Sequence, residues 1–112
     1  LASAAEALAL AQALGLDLRG TADVIMASSG ASWIFGDRVP RALDGDWFPR
    51  AAARILAKDV GIACDVAARV RADAAFAQAA RRAFADTVDA GYGEDDDAAI
   101  VRRARERLRG GR

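Results

Sequence analysis

Proline stands at only two positions of this 112-residue sequence, 40 and 49, and no segment alternates apolar and polar residues with period two. The long stretches between these breaks are dominated by alanine, the residue that loses least on entering a helix. β-Branched residues are too sparse for strands to compete. The pattern predicts an all-α domain. Aromatic residues make up only 6% of the chain, so the core must come from close packing of small-residue helix faces. A chain of this length buries roughly two-thirds of its unfolded surface, which suits one domain with one core.

The breaks in the pattern set the expected elements. Residues 1–14 read as a helix closed by Gly15 as a left-handed cap. Ser3 and Glu6 have capping-box spacing, which would make Ser3 the true start; alternatively, Leu1 lies inside a longer helix. Asp17 can cap a second helix that runs to about Ser28, with Gly20 weakening its start and Val24, Ile25 and Met26 as apolar bulk. Gly30 stops it, and Ser29 or Ser32 can cap the next. Trp33, Ile34 and Phe35 form the largest apolar cluster and are expected to anchor the core. A further short turn or helix over 38–43 surrounds Pro40, residues 44–46 turn, and Pro49 is expected near the first position of a central helix. A helix over about 74–90 places Phe76, Ala80, Phe84 and Val88 on one core stripe. Gly91-Tyr92-Gly93 reads as a linker. Glu94, Asp95, Asp96 and Asp97 then stand at the start of the last helix, where carboxylates suit the dipole. Ile100, Val101, Ala104 and Leu108 face inward there. Arg102, Arg103, Arg105, Arg107, Arg109 and Arg112 form a solvated tail.

Several function classes are excluded or disfavoured. Sixteen acidic and sixteen basic residues cancel, which gives no general case for nucleic-acid binding. Without histidine, neither a histidine-based triad nor a zinc site with histidine ligands can form in this chain. The adjacent acids at 94–97 lack the spacing of a metal-binding loop, so no metal is expected. Cys64 is the only cysteine. It excludes an internal disulfide, fits a cytoplasmic setting and reads as a small core residue. The apolar runs are too short for a membrane span. The sequence opens at Leu1 with no Met and no basic n-region, so no signal peptide is expected; it reads as part of a longer protein.

Within the stretch 46–65, DWFPRAAARILAKDVGIACD, lies Lys58, the only lysine; the other fifteen cations are arginine. A lysine offers a compact charge with three rotatable donors, where arginine offers a flat fork. Read as a helix after Pro49, the stretch puts Arg54, Lys58, Gly61, Asp65 and Arg69 on one stripe. Ala52, Leu56, Val60, Ala63, Ala67 and Val70 make the opposite, core-facing sector. Asp59 falls towards that sector, beside Leu56, Ala63 and Val66, and is expected to be partly buried and to need donors or a cation. Gly61, one turn from Lys58, costs roughly 1 kcal/mol against Ala in a helix interior, but leaves bare backbone that another group can approach. A lysine beside an opening, with an acid next to it, is a candidate binding site. The plainer alternative is a solvated stripe plus one acid capping a neighbouring helix. Ser29 and the nearby helix start could likewise hold a carboxylate, although plain capping explains them as well.

The run GASWIFGDRVPRALDGDWFPRAAARILAKDVGIACD, followed by DAGYGEDDDAA, resembles the C-terminal helical domain of the β-hydroxyacid dehydrogenases, the relatives of 3-hydroxyisobutyrate and 6-phosphogluconate dehydrogenase. Ser-Trp, Arg-x-Pro, Gly-Asp-aromatic, Pro-Arg, Lys-Asp and Ala-Gly-Tyr-Gly occur in the order found in the branch that oxidises L-threonate. The resemblance covers nearly the whole chain. It implies NAD- or NADP-dependent oxidation of a 3-hydroxy acid by a two-domain enzyme; broad apolar helix faces with few aromatics add the expectation that helices pair between subunits, in a homodimer or tetramer. An N-terminal Rossmann domain would carry the dinucleotide motif, and no G-x-G-x-x-G occurs in this sequence. The acid/base lysine would stand upstream of Leu1. By resemblance, Lys58 matches the family's second lysine, which lies over the cofactor and substrate cleft and contributes to binding NAD, and Asp59 matches the acid beside it. Many relatives carry an aromatic residue two turns before that lysine; here it is Ala51, and the smaller side chain would enlarge the pocket for a polyhydroxylated acid. A stand-alone helical interaction module without catalysis is the competing reading.

Overall fold

Local stop signals set several of the helix boundaries. In the computed structural model, which describes residues 1–110, α1 (Ala2–Ala13), α2 (Leu18–Met26), α3 (Trp33–Asp44), α4 (Ala53–Arg69), α5 (Ala75–Thr87) and α6 (Ala99–Gly110) follow in order. A π-helical turn, Val88–Tyr92, extends α5. No strand forms among the described residues; Ala52 and Asp96 make an isolated antiparallel bridge. The Asp17 carboxylate accepts from the Gly20 N–H at 2.6 Å and starts α2. The Ser32 hydroxyl accepts from the Phe35 N–H at 3.1 Å and starts α3. Gly15 and Gly45, both at φ 73°, follow α1 and α3 in the left-handed conformation that glycine adopts without steric cost.

Several expectations change. Ser3 lies inside α1, whose N-cap is Leu1 without a side-chain bond, so the capping box does not form. α2 ends at Met26, before Ser28. α3 is one helix running through Pro40, not a cluster followed by a separate turn. Its buried residues Phe35, Val39 and Ala42 fall at i, i+4 and i+7, so a single stripe holds both halves against the core despite the bond that proline cannot donate. Trp33 does not anchor the core: it is 76% exposed, while Phe35 is buried. Phe76 is 94% exposed, so only Phe84 of the α5 aromatics enters the core. Leu108, expected to face inward, is exposed as well. Cys64 is only half-buried. Arg112 of the arginine tail lies outside the described residues.

Packing divides the chain into a bundle and a hairpin. α1 lies along α6 and contacts α2, while α3 contacts α2 and α6. Leu8, Val39, Ile100 and Val101 fill this bundle, with small residues Ala4, Ala5, Ala22 and Ala98 letting the backbones approach. α4 pairs chiefly with α5. Leu56, Ala57 and Val60 lean on the core, but Ile62, Val66 and Val70 are exposed. The expected core sector of α4 is thus covered only over its first turns.

α4 begins at Ala53, four residues later than Pro49 would place it. Its N-cap, Ala52, has no side-chain acceptor to offer. The first turn of any helix leaves free N–H groups that need partners, and here a distant loop supplies them. The Ala53 N–H donates to the Asp95 carbonyl at 2.8 Å and the Arg54 N–H to the Gly93 carbonyl at 3.0 Å. In return, the Asp96 and Asp97 N–H groups donate to the carbonyls of Trp47 and Ala51 at 3.1 and 2.7 Å. Four backbone hydrogen bonds therefore stitch the loop before α6 to the loop before α4.

Candidate functional site

Lys58 stands in the second turn of α4 with its side chain 66% exposed, and its Nζ lies 3.0 Å from Asp59 Oδ1. A Cβ built on Gly61 would meet nothing within 4 Å, so the backbone one turn on is open, as a site that admits another group requires. Asp59 departs from expectation. It is not partly buried behind the lysine but 53% exposed and paired with it. The physical reason is the sparse cover of α4: α5 is its main partner, and the sector towards Ala63 and Val66 faces solvent. Ala51 lies before the first residue of α4, so helical stripe geometry does not relate it to Lys58. Ser29 lies exposed in the α2–α3 turn, and Ser32, not Ser29, caps α3. Lys58 and Asp59 are thus brought together, while Ser29 and Ala51 sit on other segments. None of these four residues lines the cleft of about 890 Å³ between α1, α4 and α5, the cleft between α1, α5 and α6, or the one between α2 and α3.

Sequence reasoning missed a buried charge cluster beneath the start of α4. Asp96 and Asp97, read as exposed acids at a helix start, precede α6 and are fully buried. Asp96 accepts from Arg41 Nη1 at 3.0 Å, from the Arg50 N–H at 2.9 Å and from the Ala98 N–H at 3.1 Å. Asp97 accepts from Arg38 Nε and Nη2 at 2.7 and 3.2 Å. Asp37 closes the group from α3, accepting from Arg41 Nη2 at 2.9 Å and from Arg38. Burial pushes the Asp96 carboxyl up, yet the two backbone donors and the Arg41 guanidinium outweigh it and hold the group below its ordinary range. The hydrogen bonds that Arg38 donates to Asp97 and then to Asp37 keep it firmly charged against desolvation. No buried side-chain polar atom among the described residues lacks a partner. The signal available in the sequence was the i, i+3 spacing of Arg38 and Arg41, which puts both on one face of α3.

A second polar group ties the C-terminal helix down. Arg102 stacks over Tyr92 at 4.3 Å and lies 5.8 Å from Trp47, and Tyr92 donates to Glu106 Oε2 at 2.9 Å. Arg103 grips Asp86 through two bonds of 2.9 and 2.8 Å, and that hydrogen-bonded guanidinium holds the Asp86 carboxyl low. These acids already have arginine partners, which leaves them poor ligands for a cation. Among the described residues, no group of three or more metal-ligating side chains converges, and no helix is long and apolar enough to cross a membrane. Lys58, by contrast, is paired only with an exposed neighbour and stands beside open backbone, so its ammonium is accessible to an anionic group.

The sequence profile of the family described as "NAD-binding of NADP-dependent 3-hydroxyisobutyrate dehydrogenase" matches residues 1–104. L-threonate dehydrogenase of Cupriavidus necator is 39% identical over 102 residues, covering 91% of this chain and 34% of that protein. L-threonate dehydrogenase of Escherichia coli strain K12 is 36% identical with the same coverage. The crystal structure of a 3-hydroxyisobutyrate dehydrogenase from Salmonella typhimurium superposes with a TM-score of 0.86 at 40% identity, over 90% of this chain and 35% of that one. The chain thus spans about a third of the length of the curated relatives it matches. With the family profile matching residues 1–104 and relatives this similar along nearly the whole chain, the protein belongs to the NAD-binding family of 3-hydroxyisobutyrate dehydrogenases.

Proposed function

We propose that this chain is the C-terminal helical substrate and dimerisation domain of an NAD- or NADP-dependent dehydrogenase that oxidises a 3-hydroxy acid, specifically a sugar acid such as L-threonate. The observation that carries this reading is the coincidence of two features on α4. The only lysine in the chain is largely exposed beside an open glycine, in a chain whose relatives at 36–39% identity are named L-threonate dehydrogenase. A preceding Rossmann domain would carry most of the dinucleotide, which supplies the hydride acceptor when bound.

In this reading the residues of the chain bind and orient, and the proton-transfer group lies outside it. Lys58 extends its ammonium to an anionic group of cofactor or substrate, where a rotatable point charge adapts better than a guanidinium fork. Asp59 restrains that ammonium through the 3.0 Å pair. Gly61 leaves room for the bound group. Ser29 helps hold the substrate carboxylate, and the small Ala51 leaves space for a polyhydroxylated chain. The acid/base is a lysine upstream of Leu1, which accepts the hydroxyl proton as hydride leaves.

An assay of the complete enzyme over a panel of four-carbon sugar acids, following nicotinamide reduction, tests the assignment. L-threonate is expected to give the highest kcat/KM, whereas no turnover with any 3-hydroxy acid contradicts the reading. The isolated 112 residues are expected to show no turnover, because they lack the dinucleotide fold and the acid/base. Ala51→Phe in the complete enzyme is expected to raise KM for L-threonate; an unchanged KM counts against the role given to Ala51.

A further inference from the structure

The buried acid Asp96 stands where it can govern Lys58 without touching it. Three features support this. First, its carboxylate fixes both sides of the joint. Through Arg50 N–H it holds the loop that leads into α4, through Ala98 N–H the loop that leads into α6, and through Arg41 it ties both to α3. Second, the joint sets the register of α4, because the first N–H groups of α4 donate to carbonyls of residues 93 and 95 and to no side-chain cap. Third, Lys58 follows Ala53 by five residues, about 7.5 Å along a rigid helix axis. A shift at the joint is therefore carried to the lysine.

We propose that Asp96 is a positioning residue for Lys58, holding the start of α4 in the register that aims the ammonium at its anionic partner. Asp97 supplies the contrast. It is as deeply buried as Asp96 and is likewise paired with an α3 arginine, Arg38, but its carboxylate holds no backbone group of the α4 joint. A purely structural role predicts the same behaviour for both acids. A positioning role predicts that only Asp96 affects ligand affinity.

The inference rests on the binding role proposed for Lys58, and a double-mutant cycle in the complete enzyme separates the two. The Kd for NAD is measured for Asp96→Asn, Asp97→Asn, Lys58→Ala and the Asp96→Asn/Lys58→Ala pair, with the Tm of each. Asp96→Asn is expected to weaken NAD about tenfold, in keeping with the cost of small misplacements far from the chemistry. It should add almost nothing once Lys58 is gone. Asp97→Asn should lower Tm by a similar amount and leave the Kd within about twofold. If Lys58→Ala leaves the Kd unchanged, the binding role of Lys58 fails and the inference falls with it. If Lys58→Ala weakens NAD but Asp96→Asn costs the same in both backgrounds, or no more than Asp97→Asn, positioning alone is overturned. Should Asp96→Asn not fold, Arg41→Lys runs the same cycle more gently, since it keeps the carboxylate and its two backbone donors and removes only the fork.

Discussion

Asp96 has no surface in contact with water, and its donors come from three segments of the chain. Removing it takes one of the two carboxylate partners of Arg41 and leaves two N–H groups unpaired in the interior, so Asp96→Ala is expected to destabilise the fold by about 3–5 kcal/mol, measured by urea unfolding. A loss below about 1 kcal/mol would show that water replaces the carboxylate easily. The sequence hid this residue inside a run of four acids that fits a helix N-terminus equally well. Only the α3 arginines across the fold distinguish its buried members, Asp96 and Asp97, from the exposed Glu94. Trp33 fails in the opposite direction. Composition marks it as the natural core plug, yet α3 turns its first residue outward and buries Phe35. Trp33→Ala is accordingly expected to change stability by about 0.5 kcal/mol or less, while Phe35→Ala should cost about 3–5 kcal/mol; equal losses in urea unfolding would contradict the packing described. Asp59 teaches the same lesson, because helical periodicity assigns a face but not whether anything covers it.

Among the elements, those with local signals were legible. Asp17, Ser32, Gly15 and Gly45 mark their boundaries by chemistry that neighbouring residues complete. The start of α4 was not legible, because its capping carbonyls belong to residues 93 and 95. No periodicity in the stretch itself records that partnership. Proline alone pointed to 49, and the loop delayed the helix to Ala53. Gly61 separates stability from binding within this same helix. It is interior to α4 with open space around a built Cβ, so Gly61→Ala is expected to stabilise the fold by about 0.5–1 kcal/mol through helix propensity. If a bound group approaches the bare backbone beside Lys58, the same change weakens NAD binding. A stabilised protein with unaltered affinity would remove Gly61 from the site.

At the scale of the molecule, the all-helical class and the single core followed directly from alanine content and the scarcity of proline, whereas the division into bundle and hairpin did not. α4 and α5 show Ile62, Val66, Val70 and Phe76 to solvent, and the dimerisation proposed above would bury such residues; sedimentation at increasing concentration is expected to show association that Phe76→Ser weakens. Acid provides a global test of the charge network. Asp37, Asp46, Asp86 and Asp96 are all held below the ordinary carboxyl range in the folded chain. The unfolded chain therefore binds protons first as pH falls. The stability these groups contribute is complete above their ordinary value of about 3.9 and is lost as pH drops through their lower folded values. Urea unfolding is expected to show stability declining from about pH 5 downward; a stability that held constant to pH 2 would contradict the network.

The binding role proposed for Lys58 is tested most directly by the affinity of the complete enzyme for NAD with Lys58 intact, with Lys58→Arg and with Lys58→Ala, each checked for an unchanged Tm. Lys58→Ala is expected to weaken binding about tenfold or more, with Lys58→Arg in between, because charge is kept but the compact ammonium is not. Equal affinity in all three proteins would contradict it.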